Sequence, residues 1–272
     1  MAKDSRSPLE VRKSLFAQVD RAAEAVGANR VLSQLAPADF SRLVPHLKDV
    51  PLERGQVLHD TGGEIEHVYF PHSGMVSIVV VMPDGETVET ATIGREGAVG
   101  LAVGLGLHQA RCRAIVQLPG TAARLSAARF AEVAQSSEAL RKLVAHHADL
   151  LLVQVQQSVA CNALHDVEAR LCRWLLHTRD CIGSDVLPLT QEFLSQMLGV
   201  RRTTVTLVAG MLQSAGMIHY RRGLIQIHDV VALKEAACDC YGIVHALKHG
   251  GGRSSDFRAL GAGAPPIVTR SL

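Results

Sequence analysis

Residues 189–223 read LTQEFLSQMLGVRRTTVTLVAGMLQSAGMIHYRRG, and this stretch decides the fold of the C-terminal part. Thr190 is placed to cap a helix, because a hydroxyl there accepts from the free amides of the first turn. Leu194, Met197 and Leu198 share one helical face, and Gly199 stands where a helix end needs a left-handed residue. Arg201-Arg202-Thr203-Thr204 then opens a second helix whose Val205, Val208 and Leu212 point inward. Arg202, Thr203, Thr206 and Leu207 are left to face outward. Tyr220-Arg221-Arg222-Gly223 reads as the turn of a basic hairpin. A helix that opens on arginine and hydroxyl groups suits the DNA major groove, since guanidinium pairs bidentately with guanine and hydroxyls reach phosphates or base edges. A small helical subdomain with solvated arginines is the plainer alternative. Against it, residues 186–228 carry four arginines and one acid, Glu192, in a chain whose formal net charge is only +2.

Outward from this motif, the texture changes twice. Residues 1–29 are polar and alanine-rich and read as a loose N-terminal extension. A short helical segment over 30–47, with a turn and helix start at Ala36-Pro37-Ala38-Asp39, leads into period-two patterning from Val50 to Leu125. The runs Val68–Phe70, Met75–Val81 and Thr87–Ile93 are β-rich, separated by Gly62-Gly63, Ser73-Gly74, Asp84-Gly85 and Gly94. Asp84-Gly85 predicts a type I′ hairpin, and the strand spacing predicts a closed or double-sheet jelly roll. From Thr121 to Ile182 there is neither Gly nor Pro, which favours helix. Leu140, Leu143, Val144, Leu150 and Leu151 form an apolar stripe interrupted by His147 and Gln154. Packing against the roll is one reading. A dimer seam is the preferred one, because a winged domain needs two copies to read a useful length of DNA. A break near Cys161-Asn162 would then lead into the first helix of the DNA-binding domain.

The expected organisation is α+β: a β-roll sensor at 30–135, a dimerisation helix at 136–160, a winged helix-turn-helix at 161–235 and an extension at 236–272, its end glycine-rich and flexible. No run approaches a membrane span and the N-terminus lacks an apolar signal core, so a cytoplasmic protein is expected. The six cysteines, at 112, 161, 172, 181, 238 and 240, are scattered and include no CxxC. They read as free thiols of a reducing compartment, with no metal site expected.

Roll, long helix and the 189–223 element, in that order, resemble the cyclic-AMP receptor protein and fumarate–nitrate regulator (Crp/Fnr) superfamily over roughly residues 30–230. The resemblance implies a homodimeric, sequence-specific transcriptional regulator on a near-palindromic duplex, contacting RNA polymerase if it activates. In that family the recognition helix opens Ser-Arg-Glu-Thr-Val; here the run is Arg201-Arg202-Thr203-Thr204-Val205. By resemblance Arg202 takes the guanine-reading role and Thr204 a phosphate contact, with Thr190, Arg201, Thr203, Thr206, Arg221 and Arg222 around them. Thr203 departs from the pattern, and Leu207 stands where the family has a further arginine, so the usual half-site does not carry over.

Members that bind cyclic nucleotides hold the ribose with a Gly-Glu pair and the phosphate with an Arg-Ser/Thr-Ala run. This chain has Gly94, Gly97 and Gly100-Leu101, then Arg111-Cys112-Arg113-Ala114. These outline a candidate effector pocket in which the carboxylate is missing, or glycines that merely shape turns. Cyclic AMP in its usual mode is therefore not expected. No cysteine precedes Cys112, which excludes the N-terminal cluster of the oxygen-sensing members. Thirteen histidines, among them His67, His72, His108, His146 and His147, leave haem open, though no cofactor is expected. A roll acting as an interaction or cyclic-nucleotide module without DNA is the alternative. A cupin-like metalloenzyme is more remote, since His67 and His72 form no His-x-His, and no GxSxG, HExxH or GxxxxGK[ST] is present.

Overall fold

A computed structural model of the chain describes residues 29–248. The expected N-terminal extension up to residue 28 and the expected tail beyond residue 248 lie outside these residues. Asn29 itself belongs to the body of the protein. It is fully buried, its Nδ2 donates to the carbonyls of Pro71 and Gly97 (2.9 Å each), and its Oδ1 caps α1 (Arg30–Ser33). Pro37 starts α2 (Pro37–Leu43), where its missing N–H costs nothing.

Seven strands build the roll as two antiparallel sheets. The first has the order β1 (Lys48–Leu52), β7 (Gly120–Ser126), β3 (His67–Pro71). The second has the order β2 (Val57–His59), β6 (Arg113–Leu118), β4 (Met75–Val81), β5 (Thr87–Ile93). One apolar cluster lies between the sheets, around Val76, Ile78, Val116 and Ala122; a second, around Phe70, Leu125 and Phe130, joins the roll to the helices that follow. The close crossing of Gly120 and Ser73 fits only glycine, because a Cβ at 120 would stand 2.3 Å from the Ser73 carbonyl oxygen.

Two local expectations need correction. The β4–β5 turn is not type I′: among the described residues only Gly85 of that turn has positive φ (+88°), and Asp84 instead accepts from the amide of Glu86 through its side chain (3.0 Å). Residues 121–126, inside the glycine-free stretch, are strand, because β7 is the shared middle strand of its sheet.

Helices α3 (Ala127–Ser136) and α4 (Glu138–Leu164) follow, each capped by the serine that precedes it, Ser126 and Ser137. Helix α4 runs through the expected break at Cys161-Asn162 and ends at Leu164, with only His165-Asp166 before α5 (Val167–Ile182). The winged domain then comprises α5, β8 (Val186–Leu187), α6 (Gln191–Leu198), α7 (Arg202–Ser214), β9 (Ile218–Arg221), β10 (Leu224–Ile227) and α8 (Val230–Ala236). Its core holds Leu171, Trp174, Leu175, Leu194, Val205, Leu212 and Ile225 together with Met75 and Leu118 of the roll, so it is seated on the roll of its own protomer. Each fully buried Leu or Ile contributes about 1.5–3 kcal/mol. A further helix, α9 (Cys240–Lys248), occupies part of the expected extension and packs against α4 and α5.

Candidate nucleic-acid interface and sensor cavity

The helix-turn-helix geometry follows from its caps. The Thr190 hydroxyl oxygen accepts from the amide of Phe193 at 3.2 Å, worth about 1 kcal/mol to the start of α6. Gly199 closes that helix at φ +61°, with its amide on the Gln196 carbonyl and that of Val200 on the Ser195 carbonyl. Val205, Val208, Ala209 and Leu212 then pin α7 inward. Arg201, Arg202, Thr203, Thr206 and Leu207 are exposed and Thr204 half-buried. Arg201 precedes α7 and makes no side-chain cap. The first turn of α7 thus offers unsatisfied amides and guanidinium groups together, an arrangement suited to a phosphate anion. The Thr206 hydroxyl is already engaged, within reach of Gln191 Oε1 (2.9 Å) and the Arg202 carbonyl (3.0 Å).

Strands β8, β10 and β9 form the wing, and Arg221 pairs with Leu224 across a two-residue turn, Arg222-Gly223. Both turn residues have positive φ (+49° and +78°), the signature of type I′. Arg222 is the one non-glycine among the described residues in that region, which puts a guanidinium at the wing tip beside exposed Arg221. A Cβ on Gly223 would lie 3.4 Å from Thr190 Cγ2, so wing tip and α6 start are neighbours.

Between the roll and α4 lies a cavity of about 590 Å³. Of the expected pocket residues, Gly97, Gly100, Leu101 and Arg111 line it; Gly94 and Arg113 do not. The Gly94 amide donates to Glu96 Oε1 (3.1 Å). Arg113 is held by a bidentate pair to Asp60 (2.9 and 2.8 Å), which lowers the Asp60 carboxyl below its ordinary range. Leu101, where the family's ribose carboxylate would stand, is a buried apolar side chain. Gly100 (φ +86°) is demanded by the fold, because a Cβ there would sit 2.8 Å from the His67 carbonyl oxygen. Sequence reasoning missed the α4 wall of the cavity, where His146, His147, Leu150 and Gln154 stand, and Arg30 and Glu96 beside them. His147 Nε2 is buried with no hydrogen-bond partner. Burial, followed by the neighbouring His146, lowers the His147 pKa to about 4, against the opposing pull of Glu96.

The expected dimer stripe lies largely on this inner face. Leu140 and Val144 are 1% and 2% exposed inside the protomer's own core, where Leu143 also packs. Leu151 packs against the roll, while His147, Leu150 and Gln154 face the cavity. The alternative reading, core against the roll, therefore describes these residues. The outward face carries Ala145, Asp149, Leu152, Gln156, Val159 and Ala163, all exposed, Leu152 by 53% and Val159 by 63%. Their alternating spacing of four and three is that of a coiled-coil seam. The cysteines are not scattered either: Cys161, Cys238 and Cys240 converge with His165 at the end of α4.

The Gln154 carboxamide pairs with the Thr92 backbone, donating to its carbonyl (3.2 Å) and accepting from its amide (3.0 Å). The Thr92 hydroxyl lies 2.5 Å from His177 Nε2 on α5. Trp174 Nε1 donates to Glu89 Oε1 at 2.9 Å, and Arg54 of the roll donates to the Pro188 carbonyl at 2.8 Å. Polar bonds thus run from α4 through β5 into the winged domain.

Comparison with known proteins agrees with this geometry. Residues 49–137 match the family model for a cyclic nucleotide-binding domain, and residues 169–236 that for a Crp-like helix-turn-helix domain. The chain is 26% identical over 206 residues to the global nitrogen regulator of Synechocystis, covering 72% of this chain and 90% of that protein. FixK2 from Bradyrhizobium japonicum shares the fold at 13% identity and a TM-score of 0.61, with 71% of this chain and 98% of that one covered. A transcriptional regulator of the CRP/FNR family from Thermus thermophilus does so at 23% identity and a TM-score of 0.57, with 70% and 98% covered. Among the described residues no helix is long and apolar enough to cross a membrane. With roll, long helix and winged helix-turn-helix in that order, the chain carries a cyclic nucleotide-binding domain followed by a Crp-like helix-turn-helix domain, the arrangement of the Crp/Fnr transcriptional regulators it resembles.

Proposed function

We propose that this regulator is a homodimer that reads a near-palindromic DNA site, one α7 per half-site, in the cytoplasm alongside the chromosome. The observation that carries the reading is the exposed, uncapped first turn of α7 with Arg201, Arg202 and Thr203, flanked by the wing arginines Arg221 and Arg222. Arg202 reads a base edge, Thr204 and the wing arginines hold phosphates, and Thr190 sits at the α6 start beside the wing. Leu207, 66% exposed, offers an apolar contact suited to a thymine methyl where relatives have an arginine. The half-site therefore differs from the family's usual one. The seam is the outward stripe of α4 with Leu152 and Val159 at its centre.

The cavity takes an effector other than cyclic AMP in its usual mode, since Leu101 supplies no acceptor for a ribose hydroxyl and Arg113 is tied to Asp60. Its ligand acts by favouring one seating of the winged domain, through the Gln154–Thr92–His177 path. Contact with RNA polymerase belongs to this reading if the protein activates. Selection of sites from a randomised duplex library, with and without cyclic AMP, tests it. The expected product is a near-palindrome with half-sites about one DNA turn (~34 Å) apart and no response to cyclic AMP. An unenriched pool under both conditions, or a site selected only with cyclic AMP, counts against it.

A further inference from the structure

The convergence of Cys161, His165, Cys238 and Cys240 takes no part in the DNA face, the seam or the cavity. Cys161 is on the last turn of α4, and His165, four residues on, caps that helix. Cys238 lies in the connection from α8 to α9, and Cys240, past Asp239, is the first residue of α9. Sγ of Cys161 and Sγ of Cys238 are 3.5 Å apart, and Cys240 Sγ is 3.4 Å from His165 Nδ1. All four of these ligand atoms lie within 4.8 Å of one another.

In a tetrahedral zinc site, bonds near 2.3 Å to sulfur and 2.0–2.1 Å to nitrogen put neighbouring ligand atoms about 3.5–3.8 Å apart. The shorter separations here match that edge, and modest rotamer adjustment closes the longer ones. A single disulfide, at about 2.05 Å, would use two of the three sulfurs and explain neither the third nor the histidine. An iron–sulfur cluster interposes iron and sulfide between its ligands and spreads them wider than one ion does.

Burial and surroundings agree. Cys161, Cys240 and Cys238 are 0%, 1% and 9% exposed and His165 is half-buried, so the sulfurs are shielded from water, as in structural sites with four protein ligands. Gln157 Nε2 donates to Cys240 Sγ at 3.0 Å, the kind of outer bond that fixes a thiolate ligand. Arg173 and Arg170 of α5 stand within electrostatic reach of Cys161. They offset the single net negative charge of one divalent ion on three thiolates.

We propose that Cys161, His165, Cys238 and Cys240 hold one tetrahedral zinc ion. Three thiolates and an imidazole suit a borderline-soft ion and disfavour magnesium or calcium. On loading, each thiol releases one proton to solvent, and His165 stays neutral and binds through Nδ1. The ion joins the end of α4 to the α8–α9 connection across the two-residue link that leads into the winged domain. It thereby fixes the angle at which that domain leaves the long helix. This goes beyond the proposed function and does not depend on it.

The test is the zinc content, by elemental mass spectrometry, of full-length protein purified without chelator from zinc-supplemented cells. One zinc per protomer is expected, lost in Cys238→Ser and in Cys240→Ser and retained in Cys112→Ser. Cobalt(II) added to metal-free, reduced wild-type protein gives a second readout that needs no variant to fold. Thiolate-to-cobalt charge transfer with the intense visible bands of tetrahedral cobalt is expected. Protein that takes up neither metal, zinc that survives both serine variants, or an intact mass showing a Cys161–Cys238 disulfide in place of metal would overturn the proposal. Failure of the DNA-site selection would leave each of these readouts unchanged.

Discussion

Replacing Leu152 and Val159 together by alanine tests which face of α4 pairs two protomers. The side chains are 53% and 63% exposed in the protomer, so association can remove roughly half to two-thirds of their surface from water. Full burial of Leu or Val contributes about 1.5–3 kcal/mol, and alanine keeps part of the area. Counted on both protomers, the double variant should weaken the dimer by about 2–4 kcal/mol, or roughly 30- to 1000-fold in dissociation constant. Sedimentation velocity over a dilution series reads this directly. The protomer should stay folded, because neither side chain belongs to its core. Leu140→Ala makes the contrast: at 1% exposure it should cost about 2–5 kcal/mol of unfolding free energy while leaving association nearly intact. A double variant that dimerises like the wild type, or a dimer lost through Leu143 and Leu150 instead, would refute the assignment.

Arg202→Ala should weaken binding to the selected site by about 1–3 kcal/mol per half-site and relax base preference at one position, read by competition binding. Arg221→Ala should weaken all duplexes alike and lower the slope of affinity against salt by roughly one per protomer. His147 is held neutral by burial, its pKa near 4 against 6.5 for the ordinary group. The unfolded chain therefore binds the extra proton between these values, so stability is full above about pH 6.5 and falls as pH drops toward 4. The loss is of the order of 2–3 kcal/mol at about 1.4 kcal/mol per unit, and His147→Gln should flatten that part of a denaturation profile; an unchanged profile would remove the histidine from the account. Gly104→Val overpacks the junction of the 3₁₀ turn (Leu101–Leu105) with α3 and α4, since a Cβ there already meets Phe130 Cε1 at 2.9 Å and Val144 Cγ2 at 3.2 Å. A loss of about 1–3 kcal/mol is expected in chemical denaturation.

The winged domain was legible because its signals are local. A hydroxyl at 190, a glycine at 199 and apolar positions at helical spacing specify two helices and their turn with no knowledge of the rest of the chain. The long helix was legible too, but not its facing. Leu140, Val144 and Leu151 make an apolar stripe whether they meet a roll or a second copy, and the outward stripe is diluted by Asp149 and Gln156. The cavity's glycines could be read as turn formers, whereas its α4 wall, some fifty residues further along, could not. The cysteine–histidine cluster hid for the same reason: Cys161 and Cys238 are 77 residues apart and meet only because α8 packs on α5 and α9 folds back onto α4. The one local hint was Cys161 and His165 at i and i+4 on a helix end, beside a distant Cys-x-Cys.

The chain's sole tryptophan sits at the contact between its two domains. Trp174 is 3% exposed, bonded to Glu89 of the roll and edge-on to Phe193 of the helix-turn-helix at a ring separation of 5.4 Å. Any rearrangement that lifts the winged domain off the roll hydrates this one indole and removes its carboxylate partner. The protein thus carries a built-in fluorophore for its own domain seating. A shift of its emission to longer wavelength on adding a candidate effector would time and count the switching of unlabelled protein.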